Sequence, residues 1–178
     1  MSTTYSRLFS ILNFASSQPE WDQYNLATSI RQKGLTDKTF TNFKLKLNGV
    51  NIDAFMKEKS IISIIDLMVD LDLFKNNGSN ITFTPNGQKC INSESNYIMQ
   101  IRSSVMSLMQ SKKAPLSSII GFINEIMLPD VPNTESIYRK LSDDAKELIS
   151  LSLFRRLLFL LACAEGVDRV WTVYYRGI

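Results

Sequence analysis

The sequence contains no histidine. The side chain whose ordinary pKa lies near neutrality is therefore missing, and with it the commonest metal ligand. Hydrolases built on a histidine base, Cys-His proteases and His-ligated zinc sites are excluded within this chain. Cysteine is nearly as scarce. Cys90 and Cys163 are the only two, too few and too far apart for a four-ligand zinc site. They read as reduced thiols packed in cores, and so few of them suit a reducing, cytoplasmic setting.

Motifs for nucleotide and acyl chemistry are missing too. There is no G-x-x-x-x-G-K-[ST], no G-x-G-x-x-G and no G-x-S-x-G, so a phosphate-cradling loop, a dinucleotide site and a nucleophile elbow have no support. Asp66, Asp70 and Asp72 recur at helical spacing. They read as solvated charges on one helix edge rather than a cation site, and no strand-borne D…E-x-K set accompanies them. The expectation is a non-enzymatic protein without cofactor or metal.

No apolar run is free of charge over a bilayer's thickness. Leu148 to Ala164 is the most hydrophobic stretch, and Arg155 and Arg156 stand at its middle, which argues for a buried helix rather than a membrane span. At the N-terminus, Met1 to Thr4 is polar and uncharged and Arg7 interrupts the next apolar stretch, so no secretory leader is expected.

What remains is a folded chain of 178 residues, 44% hydrophobic and 21% charged. That suffices for one large domain or two small ones with real cores. Apolar residues at helical spacing predict a first helix over residues 5–16. Ser16-Ser17-Gln18-Pro19 breaks it, and Pro19-Glu20-Trp21 restarts a second helix that ends at Gly34, with Trp21, Tyr24, Leu26, Ala27 and Ile30 as its apolar, core-packing side. Thr36 or Asp37 caps an expected third helix reaching Leu47, although Phe43-Lys44-Leu45-Lys46-Leu47 also alternates like a strand. Asn48-Gly49 marks a turn, and Asn51 or Asp53 starts a short expected helix through Lys57.

The richest pattern spans residues 60–91. An apolar helix from Ser60 to Leu71 runs into Asp72-Leu73-Phe74. The turn-rich Lys75-Asn76-Asn77-Gly78-Ser79-Asn80 follows, then the alternating strand Ile81-Thr82-Phe83-Thr84, then Pro85-Asn86-Gly87-Gln88 opening a new helix. The asparagines and Gly78 tolerate the positive φ of a tight hairpin. Alternation puts Ile81 and Phe83 toward a core and Thr82 and Thr84 outward. Thr84 is placed to cap the next helix, with Pro85 in its first turn.

Residues Pro85 to Gln110 read as one long helix with a break near Asn92-Ser93. Leu116 to Leu128 forms another amphipathic helix, Thr134 to Leu141 a short one, and Ser142 caps a long helix to Ala164. Val167 to Tyr175 is rich in β-formers.

Helix, Asp72-Leu73-Phe74, hairpin and T-P-x-G into a helix resemble the wing region of winged-helix proteins, over roughly residues 20–92. The resemblance implies a mainly α fold with small β-hairpins and a helix before the wing that such families place in a DNA groove. The second half repeats the element order. It is therefore either a second winged-helix unit or a helical region donating a strand to the first sheet. The resulting division is a winged-helix domain over 1–92, a linker helix over 93–112 and a second helical or winged-helix-like domain over 113–178.

Charge bears on what that wing touches. Between residues 31 and 59, Arg31, Lys33, Lys38, Lys44, Lys46, Lys57 and Lys59 face Asp37, Asp53 and Glu58, so seven minus three leaves +4 against +3 for the whole chain. Lys33, Lys38, Lys44, Lys46, Lys57 and Lys59, with Lys75 and Asn77 of the hairpin, are the candidate phosphate contacts. The helix before the wing carries Asp66 and Asp70 and no base beyond its start, which counts against deep groove reading. A second basic set comprises Arg155 and Arg156 on the apolar helix and Arg169 and Arg176 flanking the aromatic strand residues Trp171, Tyr174 and Tyr175. The expected function is a DNA-associated regulator or accessory subunit of a DNA-processing or defence complex, with double-stranded DNA as partner. The alternative is a protein-interaction module forming a homodimer or joining a larger complex.

Overall fold

A computed structural model describes residues 3–34, 41–47, 50–55, 58–126 and 133–164. It is mainly helical, with one three-stranded antiparallel sheet and one separate two-stranded hairpin. The chain divides into two compact units, residues 3–97 and 98–178.

The first unit begins with α1 (Thr3–Ala15), β1 (Glu20–Asp22) and α2 (Gln23–Gly34). Glu20 to Asp22 is therefore strand where a helix start was expected. Its residues pair with the return strand of the hairpin 60 positions downstream, Trp21 opposite Ile81. Trp21 also donates its indole N–H to the Ala15 carbonyl at 2.8 Å, satisfying a carbonyl at the end of α1. Asp22 then starts α2, its carboxylate accepting from Asn25 N–H at 2.9 Å.

Residues 41–55 hold the second difference. They form β2 (Thr41–Leu47) and β3 (Val50–Phe55), an antiparallel pair, in place of the expected end of a third helix and start of a fourth. The period-two alternation of Phe43 to Leu47 is realised as strand, paired residue for residue with Val50 to Ala54.

Next come α3 (Glu58–Asp70), β4 (Phe74–Asn77), β5 (Asn80–Phe83), α4 (Pro85–Cys90) and the start of α5 (Glu94–Ser111). The sheet order is β1-β5-β4. Arg31 of α2 lies 3.1 Å from Glu58 of α3, an ion pair between the two helices that flank β2 and β3 in the chain. The core is fully buried Leu8, Ile11 and Leu12 of α1, Leu26 and Ile30 of α2, and Ile61, Ile65 and Met68 of α3, closed by Leu71, Leu73 and Phe74. Each such side chain contributes about 1.5–3 kcal/mol of transfer free energy.

The expected break in the long helix is present. Asn92 takes φ +55° between α4 and α5, a conformation asparagine tolerates. Thr84, expected to point outward, is buried because its hydroxyl is engaged on both sides, as described below. Tyr24, expected on the apolar side of α2, is 69% exposed.

The second unit holds the rest of α5, then α6 (Leu116–Ile126), α7 (Thr134–Arg139), α8 (Asp143–Leu148) and α9 (Leu151–Ala164). Ser142 caps α8 as expected, accepting from Ala145 N–H. The single long helix expected from there to Ala164 is instead two. Ile149 is extended, and Ser150 accepts from Leu153 N–H at 3.2 Å, restarting the helix. Tyr138 O–H donates to the Ile149 carbonyl at 2.9 Å, which satisfies a group freed by the break. Phe154, Leu157, Leu160 and Leu161 form the buried side of α9. The strand expected at Val167–Tyr175, on which a second winged-helix unit depends, lies outside the described residues.

Candidate nucleic-acid interface

The α3–β4–β5–α4 corner is built around Asp72 and Thr84. Asp72 turns the chain out of α3 with φ +56°, and Leu73 N–H still reaches the Met68 carbonyl at 2.9 Å. Thr84 O–H donates to the Asp72 carbonyl at 2.6 Å and accepts from Gly87 N–H at 2.9 Å. Thr84 N–H donates to the Leu73 carbonyl at 3.2 Å. Asn86 adds a bond to the Asp72 carboxylate at 2.7 Å. One threonine thus caps α4 and ties the end of α3 to the end of β5, fixing where the hairpin projects.

Phe74 is buried against Phe83, ring centroids 5.1 Å apart at 73°. Ile81 of β5 is buried as well, whereas the rest of β4 and the turn are wet. Lys75, Asn76, Asn77, Gly78 and Ser79 are all exposed. Gly78 takes φ +76° at the tip, and Asn77 donates a long hydrogen bond to Thr82 at 3.4 Å.

The candidate phosphate contacts divide unevenly. Lys59 is exposed in the first turn of α3, and Lys75 and Asn77 are exposed on β4. Lys33 sits in the last turn of α2. Lys44 and Lys46 stand on β2, opposite Asp53 and Asn51 in the register. Lys38 and Lys57 lie outside the described residues. Arg31, counted in the basic segment, is engaged by Glu58. That surface pair leaves the cation exposed and is worth at most about 1 kcal/mol.

The exposed side of α3 is not basic beyond its first turn. It presents Lys59, Ser60, Asp66 and Asp70, with half-buried Ile62, Ser63 and Val69. Asp66 accepts from Gln23 of α2 at 2.8 Å. The exposed side of α2 offers Tyr24, Asn25, Thr28, Arg31 and Gln32. Tyr24, Thr28 and Arg31 are spaced i, i+4 and i+7, and this stripe escaped the sequence reading because Tyr24 was assigned to the core.

Of the other basic set, Arg155 and Arg156 are described, both exposed on α9. Arg155 is exposed, 3.4 Å from Glu135, which also holds Arg139 at 2.6 Å. Arg169 and Arg176 lie outside the described residues.

Burial pushes the Cys90 thiol up and the Arg7 guanidinium down. The hydrogen bond from Lys113, and then its charge, lower the Asp144 carboxyl. Among the described residues no group of acids and cysteines could hold a metal ion, and no helix is long and apolar enough to cross a membrane. Comparison with protein-family models, curated proteins and solved structures returns no match.

Proposed function

We propose that the first unit is a winged-helix module that associates with duplex DNA through phosphate contacts. The observation that carries this reading is the order of the sheet. A single strand after α1 pairs with β5, β5 pairs with β4, and β4 follows α3 directly. In a winged helix that order makes α3 the helix beside the wing and β4–β5 the wing itself. The β2–β3 hairpin is then an insertion between the two helices of the helix-turn-helix.

The charge distribution supports grip more than sequence reading. Lys59 at the start of α3 and Lys75 and Asn77 on the wing are exposed, and Lys44 and Lys46 stand on the inserted hairpin. Asp66 and Asp70 further along α3 oppose deep insertion into a groove. Such a module suits a non-enzymatic regulator or an accessory subunit of a DNA-processing or defence complex, acting in the cytoplasm.

The test is fluorescence anisotropy of a labelled duplex across a salt series. Binding should fall linearly on log–log axes with a slope of about −0.9 for each phosphate neutralised. No binding at low salt, or binding without a slope, defeats the proposal.

A second reading has its own observation. Met99 and Met106 of α5 are 62% and 43% exposed, one heptad apart on a helix, and methionine surfaces suit pliable protein contacts. Under this reading the chain is an interaction module that dimerises or joins a larger complex. Light scattering at several concentrations separates the two, since a strictly monomeric particle that binds DNA supports the first alone.

A further inference from the structure

We propose that Asn77-Gly78 at the hairpin tip is a site of spontaneous deamidation, and that the fold protects Asn86-Gly87, another of the three Asn-Gly pairs in the sequence. The chemistry needs the backbone nitrogen of the glycine to attack the asparagine Cγ. A new N–C bond closes a succinimide ring, the Cγ–Nδ2 bond breaks and ammonia leaves, while base takes the amide proton. Water then opens either ring carbonyl, giving aspartate or isoaspartate. Water is the sole co-reactant.

The two sites differ in every respect this reaction feels. Asn77 and Gly78 are exposed. A Cβ at Gly78 would meet nothing within 4 Å, so no packed atom crowds the glycine on that side. The Asn77 amide is held by one exposed hydrogen bond of 3.4 Å, near the limit of a real one. At the other pair, the attacking nitrogen of Gly87 is engaged. It donates to Thr84 Oγ1 at 2.9 Å in a buried cap. The leaving amide of Asn86 is fixed on the Asp72 carboxylate at 2.7 Å, and helical backbone keeps Gly87 N away from the Asn86 Cγ.

Conversion at Asn77 places a carboxylate two residues from Lys75. The isoaspartyl product also adds a backbone atom to a hairpin whose register, Asn77 opposite Asn80, depends on a two-residue connection. Loss of DNA affinity on conversion rests on the reading above; the chemistry does not, and a mass measurement alone decides it.

Folded and denaturant-unfolded chain are incubated at mildly alkaline pH and digested with trypsin. Cleavage after Lys75 and Lys89 leaves both sites in one peptide, so fragment ions must assign the position. The expected result is conversion at Asn77 at least about a hundredfold faster than at Asn86 while folded, because reaction at Asn86 waits on opening of the cap. In the unfolded chain both convert at similar rates. Equal rates at the two positions in the folded chain, or an intact Asn77 where the unfolded chain converts it, overturn the proposal. Asn77→Gln should abolish the fast conversion without changing the slow one.

Discussion

A Cβ added at Gly87 would lie 1.9 Å from the carbonyl oxygen of Leu73 and 2.9 Å from its carbon. Both obstacles are backbone, so nothing flexible can yield. The close approach is what lets α4 pack directly under the start of β4. Gly87→Ala is expected to destabilise the protein by about 3 kcal/mol, at the upper end of overpacking costs. Gly121 in α6 is the internal control, exposed and with nothing within 4 Å of its added Cβ. Gly121→Ala should stabilise by about 1 kcal/mol through helix propensity alone. Urea unfolding of both variants measures the contrast. A neutral Gly87→Ala would mean that α4 does not sit against Leu73.

Thr84→Val keeps shape and removes the hydroxyl. The Gly87 N–H loses its acceptor and the Asp72 carbonyl loses its donor, both in a part-buried corner. The expected cost is about 2 kcal/mol, combining a lost cap with unsatisfied groups. Thr84→Ser retains both bonds and should recover most of it. A Thr84→Val variant as stable as the parent, with Thr84→Ser destabilised, would assign the effect to the methyl group instead.

That corner was largely legible in the sequence, for a physical reason. Asn77-Gly78, Thr84-Pro85 and the Ser60–Leu71 stripe are local signals, each fixed by φ preference, capping or helical period within a few residues. β1 was not legible, because Glu20-Trp21-Asp22 has no strand signature of its own and becomes a strand only by pairing with Ile81 and its neighbours. The β2–β3 hairpin carried both periods at once, and helical spacing was given the greater weight. The split between α8 and α9 turned on Ser150, a capping residue inside an otherwise apolar helical run. Among the candidate contacts, exposure of Lys59 and Lys75 followed from their local positions, whereas pairing of Arg31 with Glu58 depends on the fold bringing α2 beside α3.

Asp144 supplies a pH-dependent contribution. Its folded pKa lies below the ordinary carboxylate value, first through the hydrogen bond from Lys113 and then through that ammonium's charge. A depressed folded pKa means that the stabilisation is present above the unfolded-state value and is lost as pH falls through the folded one. The carboxylate is fully exposed, so the effect is small and salt-sensitive. Asp144→Asn should flatten stability against pH on the acid side only, and Lys113→Met should return the Asp144 titration, followed by NMR, to its ordinary position. An unshifted Asp144 in the parent protein would remove the pair.

Cys90 behaves oppositely. Burial raises its pKa, its Sγ lies 3.2 Å from the Asn86 carbonyl, and the thiolate is the reactive form. Folded stability is unaffected by this group below the unfolded-state pKa and falls as pH rises past it toward the folded value. In a Cys163→Ser background the remaining thiol should resist a disulfide reagent at mildly alkaline pH until denaturant is added. Prompt reaction of the folded protein would show that α4 opens readily.

Charge neutralisation along α3 and the hairpin separates phosphate grip from groove insertion. If DNA lies against Lys59 and the hairpin, Lys59→Ala and Lys75→Ala should each flatten the salt slope by about 0.9, the share of one phosphate contact. Asp66→Asn with Asp70→Asn then reports how near α3 approaches the backbone. Helix insertion brings those carboxylates close to phosphates, where a like-charge pair near 4 Å in high dielectric costs ~1 kcal/mol and relief of it raises affinity about fivefold at low salt. Binding by hairpins alone leaves them distant, beyond the Debye length of about 8 Å at physiological salt, and the double variant should bind as the parent does. The proposed grip predicts the second outcome. A fivefold gain, with the lysine variants unchanged, would move the contact from the hairpins to the helix.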